Sequence, residues 1–279
     1  MKTEKYKCGL ILLTGFPNAG KSTLINKLVK KKISIVSSKV QTTRDEIKGI
    51  INYNETQLIF TDTPGIVERR KFNKKRISRT LLNNEIEIDC NLFIFDLNTM
   101  INEKILSSVN KITKRFKKNY LILNKIDLVE RKILLEASKF FNSRVNFLDT
   151  FMISAKKNKG IDFLIKRLIT EAPERDWVYE DDVKTNMDLS FRLSEVTREK
   201  VFQLLNKEIP YSIDVLTKVE DKNNLINIFQ EIIVKKNSQK AIIIGKNGQK
   251  IKMIGTRSRV EMESLLGNKV FLNLVVKKN

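Results

Sequence analysis

The segment from Gly15 to Ser22 has the residue types and spacing of a phosphate-binding loop, because it reads G-x-x-x-x-G-K-S. Its glycines let the backbone curl so that N–H groups point at phosphate oxygens, and a following helix adds its positive N-terminal end. The Lys21 ammonium can then reach the β and γ phosphates, and the Ser22 hydroxyl can bind Mg²⁺. The predicted phosphate-site residues are Gly15, Phe16, Pro17, Asn18, Ala19, Gly20, Lys21, Ser22 and Thr23.

A second motif, Asn124-Lys125-Ile126-Asp127, predicts which base the nucleotide carries. The Asp127 carboxylate can accept hydrogen bonds from the N1–H and the exocyclic amine of guanine. Adenine offers neither donor there, and a polar group left unpaired costs about 1–3 kcal/mol. We expect Asn124 to tie this loop to the phosphate loop and the stem of Lys125 to cover the base. A backbone N–H in Ser154-Ala155-Lys156 can donate to guanine O6, although this tripeptide alone is a weak signal.

Two further stretches have residues that can hold Mg²⁺ and detect the γ-phosphate. In Asp62-Thr63-Pro64-Gly65, Asp62 would hold Mg²⁺ through water and the Gly65 N–H would meet the γ-phosphate. A Thr in Gln41–Arg44 can bind both ligands only when GTP is present, which would make that segment a switch. We favour Thr43 over Thr42, and an ordinary polar loop is the alternative. The predicted catalytic residues are Asn18, Lys21, Thr43, Asp62 and Gly65, and the predicted metal ligands are Ser22, Thr43 and Asp62.

The composition of the 279 residues excludes several kinds of chemistry. There is no His, and Cys8 and Cys90 both lie among apolar residues, so we expect no zinc site, disulfide framework or His-assisted nucleophile. No apolar run approaches the roughly 20 residues of a membrane-spanning helix, and no signal peptide is recognisable, so a cytoplasmic location is expected. The formal net charge of +21 indicates a polyanionic partner, either nucleic acid or an anionic membrane surface. A lysine-rich genome is the alternative explanation.

Short apolar strands must position these motifs. Apolar runs alternate with helical patterns up to about residue 172; the runs lie at 10–13, 57–60, 92–95, 120–123 and 151–153, and helical patterns at 22–29, 101–116 and 161–169. Short apolar strands separated by helices indicate a mostly parallel sheet that is covered on both faces. The motifs follow these strands, at the carboxyl edge where such sheets bind ligands. The prediction is an α/β P-loop domain followed by a smaller α+β domain.

The C-terminal part has a different predicted order: helix, strand, strand, helix, Gly-x-x-Gly, helix, strand. Its Gly245-Lys246-Asn247-Gly248 loop lies within Lys235–Arg259, which has eight basic residues and no acidic one. Such a loop between two helices, with apolar neighbours, can bind about four single-stranded nucleotides. A solvated basic face is the alternative. The predicted RNA-binding residues are Ile244, Gly245, Lys246, Asn247, Gly248, Lys250, Ile251, Lys252, Ile254, Arg257 and Arg259.

The predicted domain bounds are residues 1–172 for the first domain and residues 187–279 for the second. Residues 173–186 are a predicted linker, because Glu174–Asp182 has five acidic residues in nine. An ordered loop packed by Trp177 and Tyr179 is the alternative. The basic run Arg69–Arg79 has seven basic residues and no acidic one. This run either contacts RNA phosphate or forms a solvated helix face.

The five N-terminal motifs, in this order, resemble the motifs of the translation-factor-related GTPases. Combined with the Gly-x-x-Gly domain, they resemble the Era family of ribosome-assembly GTPases over roughly residues 6 to 277. Supporting stretches are Gln41–Arg44, Arg198-Glu199-Lys200, Glu208–Ser212 and Ser238-Gln239-Lys240. The resemblance implies a GTPase domain and a type II KH domain, Mg²⁺ with GTP or GDP, and a monomer. It also implies binding to the 3′ end of small-subunit (16S) ribosomal RNA, a role in maturation of the 30S subunit, and peripheral contact with the inner membrane.

The chain departs from the expected pattern in the second switch. Many GTPases place a Gln after the glycine of this motif to orient the attacking water, whereas this chain has Ile66. Turnover should therefore be slow, and a GTP- and RNA-binding placeholder with negligible hydrolysis is the alternative.

In similar proteins with an Asn at the position of Asn18, a bound K⁺ takes part in catalysis, so Asn18 either binds K⁺ or only stabilises the loop. Ile66–Lys71 lacks a usual Pro and is unusually basic, which leaves the behaviour of this switch open. An ATP-dependent enzyme would require Asn124-Lys125-Ile126-Asp127 to be accidental.

Overall fold

The structure, a computed structural model, describes residues 5–34, 47–62, 88–205, 213–222 and 225–279. The main division between its two compact units falls between Asn186 and Met187. Several predicted features lie outside the described residues: Gln41–Arg44 with Thr42 and Thr43, Thr63, Pro64, Gly65, Ile66 and the basic run 69–79. Within the described ranges, no helix is long and apolar enough to cross a membrane.

The first unit has one sheet of six described strands. They are β1 Lys7–Gly15, β2 Ile47–Tyr53, β3 Thr56–Asp62, β4 Cys90–Asp96, β5 Asn119–Asn124 and β6 Asp149–Ile153. The strand order is β2-β3-β1-β4-β5-β6, and every neighbouring pair is parallel except the antiparallel pair β2–β3. The predicted α/β fold with a mostly parallel sheet is confirmed.

Four described helices belong to this sheet: α1 Lys21–Val29, α2 Glu103–Thr113, α3 Arg131–Asn142 and α4 Ile161–Glu171. The central strands are apolar on both faces because both faces are covered. Phe95 and Phe141, for example, are fully buried, and their ring centroids lie 4.9 Å apart. The Asn102 side chain begins α2 by accepting the Ile105 N–H at 3.0 Å.

Strand β2 was not among the predicted elements, and helix α3 was predicted only in general terms, as one of the helical stretches between the strands. Strand β2 contains Gly49, which weakens its strand signal but is required by packing: a Cβ there would lie 2.7 Å from the Val29 Cγ2 of α1. In α3 Ala137 and Phe141 are buried at a helical spacing, whereas Leu135 on another face is exposed.

The second unit has the predicted order of elements. Its elements are α5 Leu189–Leu204, β7 Asp214–Lys222, β8 Leu225–Val234, α6 Asn237–Ile244, α7 Gln249–Leu266 and β9 Lys269–Lys278. Strand β8 is central, antiparallel to β7 and parallel to β9. Its buried residues alternate with more exposed ones, so one face of the sheet forms the core with the helices. The prediction of an α+β fold of the KH type is confirmed.

A buried glutamine fixes α5 on the second sheet. The Gln230 Nε2 donates to the Leu193 carbonyl at 3.0 Å and to the Thr217 Oγ1 at 2.9 Å. Its Oε1 accepts the Thr197 hydroxyl. The side chain is 1% exposed, and all of its hydrogen-bonding groups have partners, which fixes the helix position.

Residues 173–186, predicted as a linker or an ordered loop, lie against the first unit. The fully buried Gln57 side chain accepts the N–H groups of Val178 and Tyr179 at 3.0 Å and donates to the Tyr179 carbonyl at 2.8 Å. The Trp177 indole donates to the Glu55 carbonyl at 3.0 Å. This packing agrees with the alternative of an ordered loop, and it depends on backbone groups of the segment and on the Trp177 side chain.

Candidate functional site

The predicted phosphate loop connects the end of β1 to the start of α1. Gly15 has φ 141°, and a Cβ there would lie 2.2 Å from the Ile94 carbonyl oxygen. Gly20 has φ 102° at the N-terminus of α1, and Asn18 has φ 63°. Positive φ angles are readily adopted by glycine and are tolerated by asparagine. The sequence therefore allows the tight curl that a loop of this kind needs.

Lys21 lies inside this curl and is almost fully buried. Its ammonium donates to the carbonyl oxygens of Gly15 at 3.2 Å and Phe16 at 3.0 Å. Burial lowers the pKa of Lys21, and the charge of Asp62 partly opposes that shift. A buried cation held by neutral carbonyls is better stabilised when an anion approaches it. A phosphate group in the loop would supply that anion.

Two of the three predicted metal ligands meet at the end of β3. The Ser22 hydroxyl, in the first turn of α1, donates to the Asp62 Oδ2 at 2.8 Å. A hydroxyl and a carboxylate are hard oxygen donors, and Mg²⁺ prefers such donors together with water and phosphate. The residues present therefore fit Mg²⁺. The third predicted ligand, Thr43, lies outside the described residues.

Asn124 connects three of the loops. Its Nδ2 donates to the Ala19 carbonyl of the phosphate loop at 2.8 Å, and its Oδ1 accepts the Ala155 N–H at 3.1 Å. The tie to the phosphate loop was predicted from sequence, whereas the bond to Ala155 was not. A Cβ at Gly20 would lie 2.2 Å from the Asn124 Nδ2, so this bridge also requires the second glycine of the loop.

Asp127 is exposed beside Ser154, as a ligand for a base needs to be. A hydrogen bond from the Ser154 side chain is the largest cause of a lowered pKa of Asp127. The carboxylate is therefore kept ionised, and in that form it can accept two hydrogen bonds. Ser154 is fully buried and pairs through its backbone with Lys159, which fixes the tripeptide Ser154-Ala155-Lys156 next to Asp127.

Asp96, at the carboxyl end of β4, was not among the residues predicted from the sequence. Its Oδ2 lies 2.6 Å from the Lys125 ammonium, and its Oδ1 accepts the Asn98 N–H at 3.0 Å and the Asn98 amide at 3.1 Å. Lys125 itself has φ 66°, uncommon for a residue that is not glycine. An acidic residue at the end of the strand beside Tyr120–Leu123 was the only available signal.

The predicted Gly-x-x-Gly loop lies between α6 and α7 in the second unit. Gly245 has φ 73°, Asn247 has φ 50° and Gly248 has φ 73°. A Cβ at Gly245 would lie 2.8 Å from the Lys250 Cγ, whereas no atom lies within 4 Å of a Cβ built on Gly248. The backbone at Gly248 is thus open to a ligand at the N-terminus of α7.

Most of the other predicted RNA-binding residues lie at or near the surface. Those with exposed side chains are Lys246, Asn247, Lys250, Lys252 and Arg257; Ile244, Ile251 and Arg259 are half-buried. Arg259 also donates to Glu263 at 2.9 Å. Ile254 requires a correction, because its side chain is 0% exposed and packs in the core with Ile243 and Val276. It supports α7 from beneath and does not line a groove.

The first unit has the parallel sheet, phosphate loop and base-side loops of a P-loop GTPase, and the second has the architecture of a KH domain. A family model described as 50S ribosome-binding GTPase matches residues 10–125. A family model described as KH domain matches residues 208–279. The GTPase model therefore matches mainly the first unit, and the KH model matches the second unit.

Relatives extend the similarity to the whole chain. GTPase Era of Afipia carboxidovorans is 37% identical over 274 residues, which is 97% of this chain and 89% of that protein. A crystal structure of an Aquifex aeolicus Era variant bound to GDP and AlF4⁻ has 34% identity and a TM-score of 0.86, covering 98% of this chain and 94% of that one. A second structure, Era with MgGDPNP and nucleotides 1506–1542 of 16S ribosomal RNA, has the same identity, TM-score and coverages. The chain therefore belongs to the Era family, and it is a GTP-hydrolysing enzyme.

Proposed function

We propose that this enzyme is a switch that binds the 3′ end of small-subunit ribosomal RNA and assists maturation of the 30S subunit. The main observation that supports nucleotide binding is that the Asn124 side chain bridges Ala19 and Ala155. It holds a phosphate loop and a base-reading loop in one site. A related Era structure with a GTP analogue and a 3′-end RNA segment supports the RNA half.

Guanine would be read by Asp127 and covered by the stem of Lys125. The ionised Asp127 carboxylate would accept the N1–H and the exocyclic amine, and an N–H within 154–156 would donate to O6. Adenine would leave the carboxylate unpaired. Because mismatched polar groups cost more than missing contacts, this arrangement selects by penalising the wrong base.

The phosphates would lie in the curl of the phosphate loop. Backbone N–H groups of Gly15–Ser22 and the N-terminus of α1 would bind their oxygens, and the Lys21 ammonium would move from the carbonyls of Gly15 and Phe16 to phosphate. Ser22 and Asp62 would hold Mg²⁺, with Thr43 joining them in the GTP state. The ion would neutralise charge on the phosphates during transfer. The Gly65 N–H would meet the γ-phosphate.

RNA would bind at the Gly-x-x-Gly loop of the second unit. The open backbone at Gly248 and the N-terminus of α7 would face phosphate, while Lys246, Lys250 and Lys252 add positive charge. Apolar side chains beside the loop, Ile244 and Ile251, would border the unstacked bases. Nucleotide state would then set the lifetime of the RNA-bound form, for which slow hydrolysis is sufficient.

The resemblance to the Era family supports a proposal for the cellular setting of the switch. We place the enzyme in the cytoplasm as a monomer, with peripheral contact at the inner membrane surface. Flotation with anionic and neutral vesicles would test the membrane contact, and light scattering would test the monomer. Vesicle binding that disappears at moderate salt would support an electrostatic peripheral contact. If the protein binds neither kind of vesicle, the proposed membrane contact is wrong.

Phosphate release from GTP is the experiment that tests the switch. It should be measured in K⁺ and in Na⁺, with and without a 3′-end oligonucleotide of 16S ribosomal RNA. We expect slow release that rises with RNA and with K⁺. Binding of GTP with no phosphate release in any condition would favour the placeholder role over the switch.

The role of Asn18 needs a variant that keeps the loop intact. Asn18→Gly tolerates the positive φ of 63° but removes the amide side chain. If Asn18 holds K⁺, this variant should lose the K⁺ stimulation while keeping nucleotide affinity. Equal stimulation in the variant and the parent would limit Asn18 to a structural role in the loop.

A further inference from the structure

The first unit has a segment rich in basic residues, and of these the proposed GTPase site uses only Lys125. Between Glu103 and Asp127 the sequence has seven basic residues and no acidic one. Five of them fall at the end of α2 and in the turn to β5, and we name these five the basic turn: Lys111, Lys114, Arg115, Lys117 and Lys118. All five side chains are exposed. Lys118 also pairs with Glu171 at 3.0 Å.

The basic turn lies at the end of the sheet opposite to the nucleotide motifs. Asn124 is the last residue of β5 and Asp127 follows it, whereas Lys118 precedes the amino end of the strand at Asn119. Five residue steps of about 3.3 Å put the two ends of this strand roughly 17 Å apart. An anion bound at the basic turn would therefore leave the nucleotide site free.

A buried chain of side-chain hydrogen bonds holds the basic turn in place. The Asn119 Nδ2 donates to the carbonyls of Thr113 at 3.0 Å and Phe116 at 2.9 Å, which fixes the backbone of the turn. The Asn119 Oδ1 accepts the Asn91 Nδ2 at 2.9 Å, and the Asn91 Oδ1 accepts the Thr14 hydroxyl at 2.6 Å. Asn91 and Thr14 are at most 1% exposed.

This anchoring distinguishes the basic turn from a flexible lysine run. The backbone that carries the cations is already ordered, so binding a polyanion would cost less conformational entropy. The cations also collect near the C-terminal end of α2, where the helix dipole favours positive charge. That favourable local field helps the five cations stay close together, and Lys118 also pairs with Glu171.

We propose that the basic turn is a second RNA-binding surface, which contacts phosphate groups and is separate from the Gly-x-x-Gly loop. An RNA backbone fits better than a membrane surface, because membrane-binding segments combine basic residues with exposed apolar anchors. In the basic turn Ile112 is buried and Phe116 is half-buried, and residues 103–118 contribute no exposed large apolar side chain. The surface offers charge alone, which suits sequence-independent phosphate contacts.

The test compares two triple variants that remove the same charge. Lys111→Gln/Lys114→Gln/Arg115→Gln changes the basic turn and leaves the ion pair of Lys118 intact. The matched control, Arg131→Gln/Lys132→Gln/Lys139→Gln, changes three exposed basic residues of α3 that alternate with Glu130 and Glu136. Affinities are measured by fluorescence anisotropy over a range of KCl concentrations. The probes are a 16S ribosomal RNA 3′-domain transcript and an oligonucleotide of about eight residues, long enough for the roughly four-nucleotide KH site.

We expect the basic-turn variant to bind the transcript at least tenfold more weakly than the control variant. The slope of log K against log salt should fall by about 2, since each lost single-strand phosphate contact removes about 0.7. Binding of the short oligonucleotide should stay unchanged. Equal transcript affinities for the two variants would overturn the proposal.

Two further arms separate this proposal from its rivals. Gly248→Asp tests the KH site, and transcript binding that remains in that variant should be lost when the basic-turn changes are added. If Gly248→Asp removes oligonucleotide binding but the basic-turn variant behaves like its control, the KH assignment stands and the second surface fails. Sedimentation with anionic vesicles that drops only for the basic-turn variant, with RNA affinity unchanged, would reassign the surface to membranes and overturn RNA binding.

Discussion

The Asp96 carboxylate lies 2.6 Å from the Lys125 ammonium, so the ends of β4 and β5 are joined beside the predicted guanine loop. Asp96 is 15% exposed and Lys125 is 31% exposed at their side chains. The ion pair also restrains the long Lys125 side chain, whose stem is expected to cover the base. Asp96 therefore has the geometry of a positioning residue for guanine binding.

Replacing Asp96 by Ala should weaken GDP binding about fivefold, because a partly buried ion pair of this kind contributes on the order of 1 kcal/mol. Titration of a fluorescent GDP analogue measures the loss. In a Lys125→Ala background the same change should have little further effect. Additive losses in the double variant would show that Asp96 acts on something other than Lys125. Inorganic triphosphate lacks the base, so it should bind the unchanged protein and the Asp96→Ala variant equally.

Asn124→Ala should reduce both stability and nucleotide affinity. The change leaves the Ala19 carbonyl and the Ala155 N–H without their side-chain partner in a buried place, at about 1–3 kcal/mol for each group. Urea unfolding should show a loss of about 2–6 kcal/mol in the free energy of unfolding, and GTP affinity should fall more than tenfold. Asp127→Ala is the companion variant, since it should weaken GTP at least tenfold with little change in stability. Unchanged GTP affinity for Asp127→Ala would remove that residue from the guanine site.

Gly248→Asp should abolish binding of single-stranded RNA while GTP binding stays intact, because a carboxylate would face phosphate. Gly267→Asp is a matched control: its φ is 70° against 73° at Gly248, and neither position has an atom within 4 Å of an added Cβ. Both variants carry the same backbone strain. A loss of RNA affinity confined to Gly248→Asp would therefore show that the Gly-x-x-Gly loop contacts the RNA. Equal losses of RNA affinity would point to general destabilisation of α7.

Cys90 should make stability fall at alkaline pH. Burial, with a smaller contribution from Asp89, raises the pKa of Cys90 from 9.0 to about 12. The folded thiol then stays protonated while the unfolded thiol ionises, so this stabilisation is complete below pH 9 and is lost between pH 9 and 12. The loss by pH 10 is about 1.4 kcal/mol. Urea unfolding of the parent and of Cys90→Ala at several pH values measures this loss. Free energies of unfolding that change in parallel with pH in the two proteins would contradict the raised pKa.

Sequence patterns predicted the features that depend on neighbours in the chain. The phosphate loop and the guanine motif each follow an apolar strand directly, and the Gly-x-x-Gly loop lies between two helices whose periods are readable. Asp96 and the hydrogen-bonded chain from Thr14 through Asn91 to Asn119 could not be predicted in the same way. Their partners are distant in sequence, and only strand order and register bring them together. Ile254 was misplaced for a similar reason, because its helix face is decided by packing on the sheet.

The segment 173–186 covers a strand edge, and this has a consequence for how the first unit can be isolated. The Ile50 N–H donates to the Lys184 carbonyl at 3.0 Å, and Gly49 pairs with Thr185, so part of the outer edge of β2 is occupied. An uncovered edge strand offers unpaired N–H and C=O groups to a second chain and invites aggregation. A first unit cut at residue 172 would expose this edge and also lose the backbone partners of the buried Gln57. Extending it to residue 186 keeps the edge covered by Lys184 and Thr185, so we expect a first unit that ends at residue 186 to self-associate less than one that ends at residue 172.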